Sequence, residues 1–338
     1  MARTILLTGG AGYIGSHTYV ALIEAGYDVV IIDNFDNSSR SVLDRLARLT
    51  GQNRIKCHEG SVLDRAFVAD VFDQYDFDGV VHFAAKKAVG ESVRLPLDYV
   101  DTNVTGLLST LAAMDARDVR KLVFSSSATV HGDPPVIPIT EDLPLNYTNP
   151  YSFTKVVSEQ ILEQATHANA DWAFGILRYF NPVGAHPSGL IGEDPFDIPN
   201  NLMPYIAKVA AGELPHLTVF GTDYDTPDGT GVRDYIHVQD LARGHVLSLD
   251  ALFRQDEGHT VNIGTGNGVS VLEMLAAYSA ACGRELPREF GPRRDGDVAT
   301  LLADPSRARA LLGFEAQHSL DDMCTSSWNW INTGAKEA

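Results

Sequence analysis

Thr4-Ile5-Leu6-Leu7-Thr8-Gly9-Gly10-Ala11-Gly12-Tyr13-Ile14-Gly15 decides the fold. Thr4–Leu7 is a near-continuous apolar run, as a strand covered on both faces requires. Glycines follow at positions 9, 12 and 15, and a helical pattern covers Tyr13–Ala25 until Gly26 stops it. Glycine serves three needs here: a tight turn, close approach of a phosphate to the backbone, and close packing of helix on strand. Free N–H groups and the dipole at the helix start then favour a pyrophosphate. The next strand, Asp28–Ile32, runs into Asp33, whose carboxylate suits adenosine ribose hydroxyls and repels a 2′-phosphate. Strand, turn, helix and acidic strand end stand in register. They point to NAD rather than NADP.

Outward from this unit, strand patterns recur at Ile55–Glu59, Gly79–Phe83, Lys121–Ser125 and Ala173–Arg178. Helical patterns lie between them at Ser41–Leu49, Asp64–Gln74, Asp101–Met114 and Pro150–Thr166. Alternating βαβ units imply parallel strands with right-handed crossovers, a Rossmann-type, doubly wound α/β sheet. Beyond Asn181 the pattern changes. Gly, Pro and Asn cluster through residues 181–201, and helices are expected at Pro204–Ala211, Val238–Leu252 and Ser319–Trp330. Ser270 with Glu273 reads as a capping box, and Asp304-Pro305 as another helix start. These elements suggest a smaller α/β lobe over residues 182–338 that closes on an NAD-binding domain of residues 1–181, with segments free to cross between the two.

Composition narrows the classes. The 338 residues carry a formal net charge of −18, the opposite of the basic footprint a nucleic-acid phosphate backbone needs. No apolar run approaches the roughly 18 residues that span a bilayer, so no membrane segment is expected. The strand beginning at Thr4 leaves no room for a signal peptide. Three scattered cysteines, Cys57, Cys282 and Cys324, suggest reduced thiols and a cytoplasmic protein. No metal site is expected.

A second motif carries chemistry. Tyr151 and Lys155 stand four apart at the start of the Pro150–Thr166 helix, on one face. A free phenol titrates near ~10, too high for a base at neutral pH, and a neighbouring ammonium lowers it. Ser125-Ser126-Ser127-Ala128-Thr129 follows a sheet strand, where open α/β sheets bind ligands. A Ser127 hydroxyl there would relay a proton between a sugar oxygen and Tyr151.

Together with Gly9–Gly15, Asp33-Asn34, the segment Phe83–Ser92, Ser125–Thr129 and Tyr151/Lys155, the chain resembles the extended short-chain dehydrogenase/reductase superfamily. Arg178–Ala185, Pro199–Pro204 and Gly229–Val238 more narrowly resemble its UDP-hexose 4-epimerases, and the likeness covers nearly the whole chain. The resemblance implies NAD-dependent interconversion of UDP-glucose and UDP-galactose through a transient 4-keto sugar, the hydride returning to the opposite face. It implies Ser127, Tyr151 and Lys155 as catalytic. NAD would be held by Gly9, Gly12, Tyr13, Ile14, Gly15, Asp33, Asn34, Asn37, Ser38, Val62, Phe83, Ala84, Ala85, Lys87, Asn103, Ser127, Tyr151, Lys155 and Phe180. The nucleotide sugar would contact Ser127, Tyr151, Asn181, Asn201, Arg233, Arg294, Asp297 and Leu301. A homodimer is also implied, with the helices Asp101–Met114 and Pro150–Thr166 pairing across a two-fold axis.

The chain departs from that pattern in four places. Ser61 replaces an Asp near the adenine, and His131 replaces Tyr in a Val-Tyr-Gly string and reads as packing or rim rather than as a base. One residue is missing between Ser127 and Tyr151, a change that a loop such as Pro134–Pro138 absorbs. Leu301 stands where some members carry a bulky aromatic that restricts N-acetylated sugars. Epimerisation of another UDP-sugar (an N-acetylhexosamine, uronate or pentose) is therefore the alternative. A 4,6-dehydratase would carry Asp-Glu after Ser127, where this chain has Ala128-Thr129. A plain dehydrogenase would release NADH stoichiometrically, and a non-catalytic NAD-binding regulator would tolerate loss of Tyr151 and Lys155.

Overall fold

The structure is a computed structural model that describes residues 2–194, 201–294 and 297–333. Six of the strands in its larger sheet are β1 (Thr4–Thr8), β2 (Asp28–Asp33), β3 (Cys57–Glu59), β4 (Gly79–His82), β5 (Lys121–Ser127) and β6 (Ala173–Tyr179). The seventh is His259–Ile263, and the order is His259–Ile263, β6, β5, β4, β1, β2, β3. Every pairing is parallel. The order reverses between β4 and β1, which opens a crevice at the carboxyl ends of those strands.

Alternation along each strand feeds two cores. Ile5, Leu7, Ile31, Val81, Val123 and Leu177 pack on one face with the helices Tyr13–Glu24 and Val238–Gln255. Leu6, Val30, Ile32, Val80, Leu122 and Phe124 pack on the other, against Leu107, Leu111 and Leu162. Strands buried on both sides need apolar residues at every position, which is why their sequences are continuous runs.

Most strand ends shift by a residue or two from the sequence expectation, and β3 begins only at Cys57; two of the shifts matter to the site. β5 continues through Ser126 and Ser127, and β6 continues to Tyr179, with Ser127 in register opposite Tyr179. The helix expected over Asp101–Met114 is broken up. Short helices Val89–Arg94 and Pro96–Val100 precede it, residues Asp101–Thr105 form a π turn, and the α-helix proper is Gly106–Ala116. Gly106 permits this path, since a Cβ there would lie 2.7 Å from Val62 Cγ2.

The second half builds a smaller layer. Val232–His237 pairs antiparallel with Gly268–Ser270 and parallel with Thr300–Leu301 and Asn181–Val183. Leu217–Phe220 pairs in parallel with Arg288–Gly291. The helices Leu202–Ala211, Val271–Cys282 and Leu320–Asn332 enclose a separate core around Met203, Ile206, Met274, Tyr278 and Met323. Ser270/Glu273 closes the expected capping box, and Ser319/Asp322 closes another. The helix expected at Asp304-Pro305 starts at Ser306, because the Asp304 carboxylate accepts the Ser306 N–H at 2.9 Å from outside it. The chain also returns to the large sheet late. Val238–Gln255 packs on Tyr13–Glu24, and His259–Ile263 pairs with β6.

Candidate active site

The glycine turn sits at the end of β1, and its shape requires glycine at two positions. Gly9 adopts φ +70°, and a Cβ there would stand 2.8 Å from the Ala84 nitrogen. A Cβ on Gly15 would stand 2.3 Å from the Gly9 carbonyl oxygen. Gly12 leads into the helix Tyr13–Glu24 with no side chain capping its start. The first-turn N–H groups of Tyr13 and Ile14 therefore remain available to an anion, so the turn fits a dinucleotide diphosphate.

Asp33, buried at the end of β2, ties the turn down. Its Oδ2 accepts the Ala11 N–H at 2.9 Å, while Oδ1 accepts Phe35 N–H at 2.9 Å and the Ser38 hydroxyl at 3.0 Å. Three acceptor positions are thus used, leaving one on Oδ2 for a ribose hydroxyl. Asn34 and Asn37 are exposed beside it. Ser61 accepts the Leu63 N–H at 3.2 Å and shapes the turn that carries the buried Val62. The half-buried Ala84 and Ala85 follow Phe83, whose ring lies 4.7 Å from that of His245. Lys87 pairs with Glu193 at 3.0 Å, near the Tyr13 ring, and the Tyr13 hydroxyl donates to the Gly184 carbonyl at 2.7 Å. Asn103 works inside the protein. Its oxygen accepts Lys86 N–H at 2.7 Å, and its amide donates to Lys86 O at 3.0 Å and Thr154 Oγ1 at 2.9 Å, fastening this loop to the neighbouring helix.

That helix, Pro150–Ala168, starts with Asn149 and Ser152 in a capping box and Pro150 in the first turn. The cap fixes where Tyr151 emerges. Tyr151 is half-buried and Lys155 buried, on one face beside the end of β5. Burial raises the Tyr151 phenol above its ordinary value, and the nearby Ser127 hydroxyl offsets that only in part. The expected lowering by Lys155 is not what this geometry gives. The Lys155 ammonium donates to the Ser125 carbonyl at 2.6 Å and lies 5.9 Å from the Tyr151 ring centre. Burial pulls Lys155 down to about 8, against the Glu159 charge.

Behind this face lies a network that sequence spacing did not reveal. Glu159 takes Arg178 bidentately, with Nη2 at 2.6 Å and Nε at 3.0 and 3.2 Å, and both side chains are buried. Ser126 donates to the same carboxylate. Arg178 also donates to the Glu141 carbonyl at 2.9 Å, and its Nη1 lies 3.4 Å from His131 Nε2. His131 is buried, and desolvation together with Arg178 lowers its pKa. It is a packed, neutral ring.

On the other wall, Asn181 donates to the Asp234 carbonyl at 2.9 Å, and Asn201 is exposed at the start of Leu202–Ala211. Pro199 and Asn200 lie outside the described residues. Asp297 stands between two cations, 2.8 Å from Arg294 Nε and 3.9 Å from Arg233 Nη2. The Arg294 guanidinium lies 5.2 Å over the ring of Phe220, an exposed aromatic that the sequence reading passed over. Leu301 pairs with Arg233 in register and packs with Phe180 and Ala128, so the two walls meet there. Asp234, also unforeseen, is fully buried. It accepts Thr265 N–H and Oγ1, Gly266 N–H and Ala303 N–H, which partly offset a pKa that burial raises.

Fold and site define a class: a doubly wound α/β protein with a dinucleotide-type turn facing a Tyr–Ser–Lys group suited to proton transfer. Residues 5–264 match the NAD dependent epimerase/dehydratase family, and the chain belongs to it. It is 53% identical to a UDP-glucose 4-epimerase of Bacillus subtilis, over 96% of each chain. A UDP-glucose 4-epimerase of Dictyostelium discoideum is also 53% identical, over 96% of this chain and 95% of that one. Among solved structures, the UDP-glucose 4-epimerase of Stenotrophomonas maltophila with bound NAD and formylated UDP-arabinopyranose superimposes with a TM-score of 0.97. It is 48% identical, covering 99% of this chain and 100% of that one. The Bifidobacterium longum enzyme, in complex with NAD+ and UDP, gives 0.93 at 50% identity over 98% of each.

Proposed function

We infer that the chain is an NAD-dependent 4-epimerase that interconverts UDP-glucose and UDP-galactose. The observation that carries this reading is the meeting of two walls at Phe180 and Leu301. One bears Ser127, Tyr151 and Lys155; the other bears Arg233, Asp297 and Arg294. The named activity of relatives about half identical over their full length supports it.

In this reading the turn at Gly9–Gly15 and Asp33 hold NAD. When bound, NAD supplies a positively charged ring that takes up and returns a hydride. Tyr151 would remove the sugar 4′-OH proton with Ser127 bridging, its ionisation aided by the positive charge that bound NAD would bring. Lys155 would donate to a ribose hydroxyl of bound NAD and adds positive charge beside Tyr151. Arg233 and Arg294 take the diphosphate, with Asp297 keeping the two guanidinium groups together when no substrate is bound. A firm grip on the diphosphate, with the apolar contact of Leu301 on Ala128 and Phe180 between the walls, leaves the 4-keto sugar free to turn and present its other face.

Division of labour follows the layers: residues 1–181 with the returning segment Val238–Ile263 for NAD, and the remainder for the nucleotide sugar. A homodimer is supported by the exposed apolar side chains Val89, Val93, Leu95, Leu97 and Leu108, which lie on the two short helices, at the junction between them and on Gly106–Ala116. A cytoplasmic setting is supported by three free thiols.

The test is UDP-galactose carrying deuterium at C4′. Conversion to UDP-glucose with the label kept at C4′ and no free NADH is expected; loss of label to solvent, or stoichiometric NADH, would overturn the reading.

A further inference from the structure

Glu159 continues a series. Tyr151, Lys155 and Glu159 are spaced by four on the helix Pro150–Ala168; β5 bonds Lys155 through the Ser125 carbonyl and Glu159 through the Ser126 hydroxyl, and Ser127 at its end stands near the Tyr151 phenol. The third contact differs from the other two, because Glu159 also grips Arg178 on β6 with both carboxylate oxygens. One side chain therefore joins the helix to two adjacent strands, at the level between the Lys155 acceptor and the Tyr151 partner. Arg178 is fixed in turn by the Glu141 carbonyl and flanked by His131. A guanidinium with its donors engaged on three elements has no freedom to swing.

We propose that Glu159 and Arg178 are positioning residues for the proton transfer, a buried brace that fixes Lys155 and the Ser125–Ser127 strand end against Tyr151. The proposal rests on the epimerase reading of Tyr151. A salt bridge this deeply buried is weak evidence of a stabilising role, since a well-packed apolar pair often serves stability equally well. Its placement at the chemistry gives it a different role. The charge of Glu159 also favours the ammonium form of Lys155, which burial opposes. Other titratable groups face Lys155: Tyr151 on its own helix, His82 from β4, and Tyr179 from β6 through Ser125.

Two variants test the brace, each isolated as the full chain with its bound nicotinamide measured after release. Glu159→Gln/Arg178→Met removes both charges together and avoids a lone buried ion. Arg178→Lys keeps the charge and so the fold, but loses the fork. The expected result is a kcat lowered about 10²-fold in the double variant and about tenfold in Arg178→Lys, with KM within threefold, because displacement near the reacting atoms costs that much. In the double variant the alkaline limb of kcat moves to lower pH. In an ultraviolet difference titration against Tyr151→Phe, its phenol ionises at higher pH than in the parent. That titration needs no turnover, so it stands even if the parent fails to epimerise UDP-galactose, a failure that would strike the functional reading alone. A soluble variant with kcat within twofold of the parent and an unmoved phenol overturns the proposal.

Discussion

Two ion pairs support opposite walls of the site and differ in almost every physical respect. Arg178–Glu159 is bidentate, with side chains only 6% and 4% exposed. Arg294–Asp297 is held through a single nitrogen, with side chains 54% and 26% exposed. The first joins regular elements of the large layer. The second lies on irregular chain of the small layer and shares its carboxylate with Arg233. Taking a charged pair out of water demands near-complete hydrogen bonding, so the inner pair is rigid; the outer pair stays hydrated and exchangeable. The contrast suits the work of each wall. Proton transfer needs fixed distances, whereas a diphosphate clamp must open to admit its ligand.

The strongest challenge to that contrast is at the inner wall. Tyr151→Phe is expected to lower turnover about 10³-fold or more, with the thermal midpoint unchanged, since a general base contributes about 10²–10⁴. Near-normal conversion of UDP-galactose would break the assignment. Next is stability: Arg178→Met alone leaves Glu159 buried and unpaired and should cost about 3–5 kcal/mol in denaturant unfolding. Asp297→Asn should cost no more than about 1 kcal/mol. Similar costs would erase the distinction between the pairs.

The outer clamp has its own signature. Arg233→Leu should raise KM for UDP-galactose about tenfold or more with kcat little changed, and the effect should shrink in salt. A fall in kcat at constant KM would place Arg233 at the chemistry instead. Acid should bear mainly on the large layer. Burial pushes His17 and His82 down to about 3, and His245 and His259 down to about 4, all four in the large layer; at the seam His237 is also pushed to about 4. The unfolded chain takes up these protons near ~6.5 and the folded chain does not. Stability is therefore complete above that pH and falls as pH drops toward 4, by up to about 1.4 kcal/mol per unit for each histidine. Equal unfolding midpoints at pH 7 and pH 5 would contradict this. The smallest change expected is at the meeting of the walls. Leu301→Tyr should reduce turnover of UDP-N-acetylgalactosamine several-fold more than that of UDP-galactose.

The large layer was legible because its signals are local. Apolar runs, a glycine turn and a four-residue spacing each sit within a dozen residues, and β1–β6, the turn and the Tyr151/Lys155 face follow from them. The strand His259–Ile263 escaped notice because its five residues, three of them polar, gain strand character only from pairing with β6. Arg178–Glu159 and Asp234 were illegible for a related reason. Their partners lie 19 to 69 positions away, and a buried charge leaves no periodic mark. The phenol expectation missed because local spacing placed an ammonium near Tyr151 but said nothing about the water removed from around it.

The late return of His259–Ile263 to β6 has a consequence for dissection of the molecule. A fragment ending near residue 181 would carry β6 as a bare seven-residue edge, apolar and parallel, open to self-association. Expressed separately, the two segments should aggregate. Co-expressed, they should recombine through that edge, which makes the junction a natural place for a split-protein reporter.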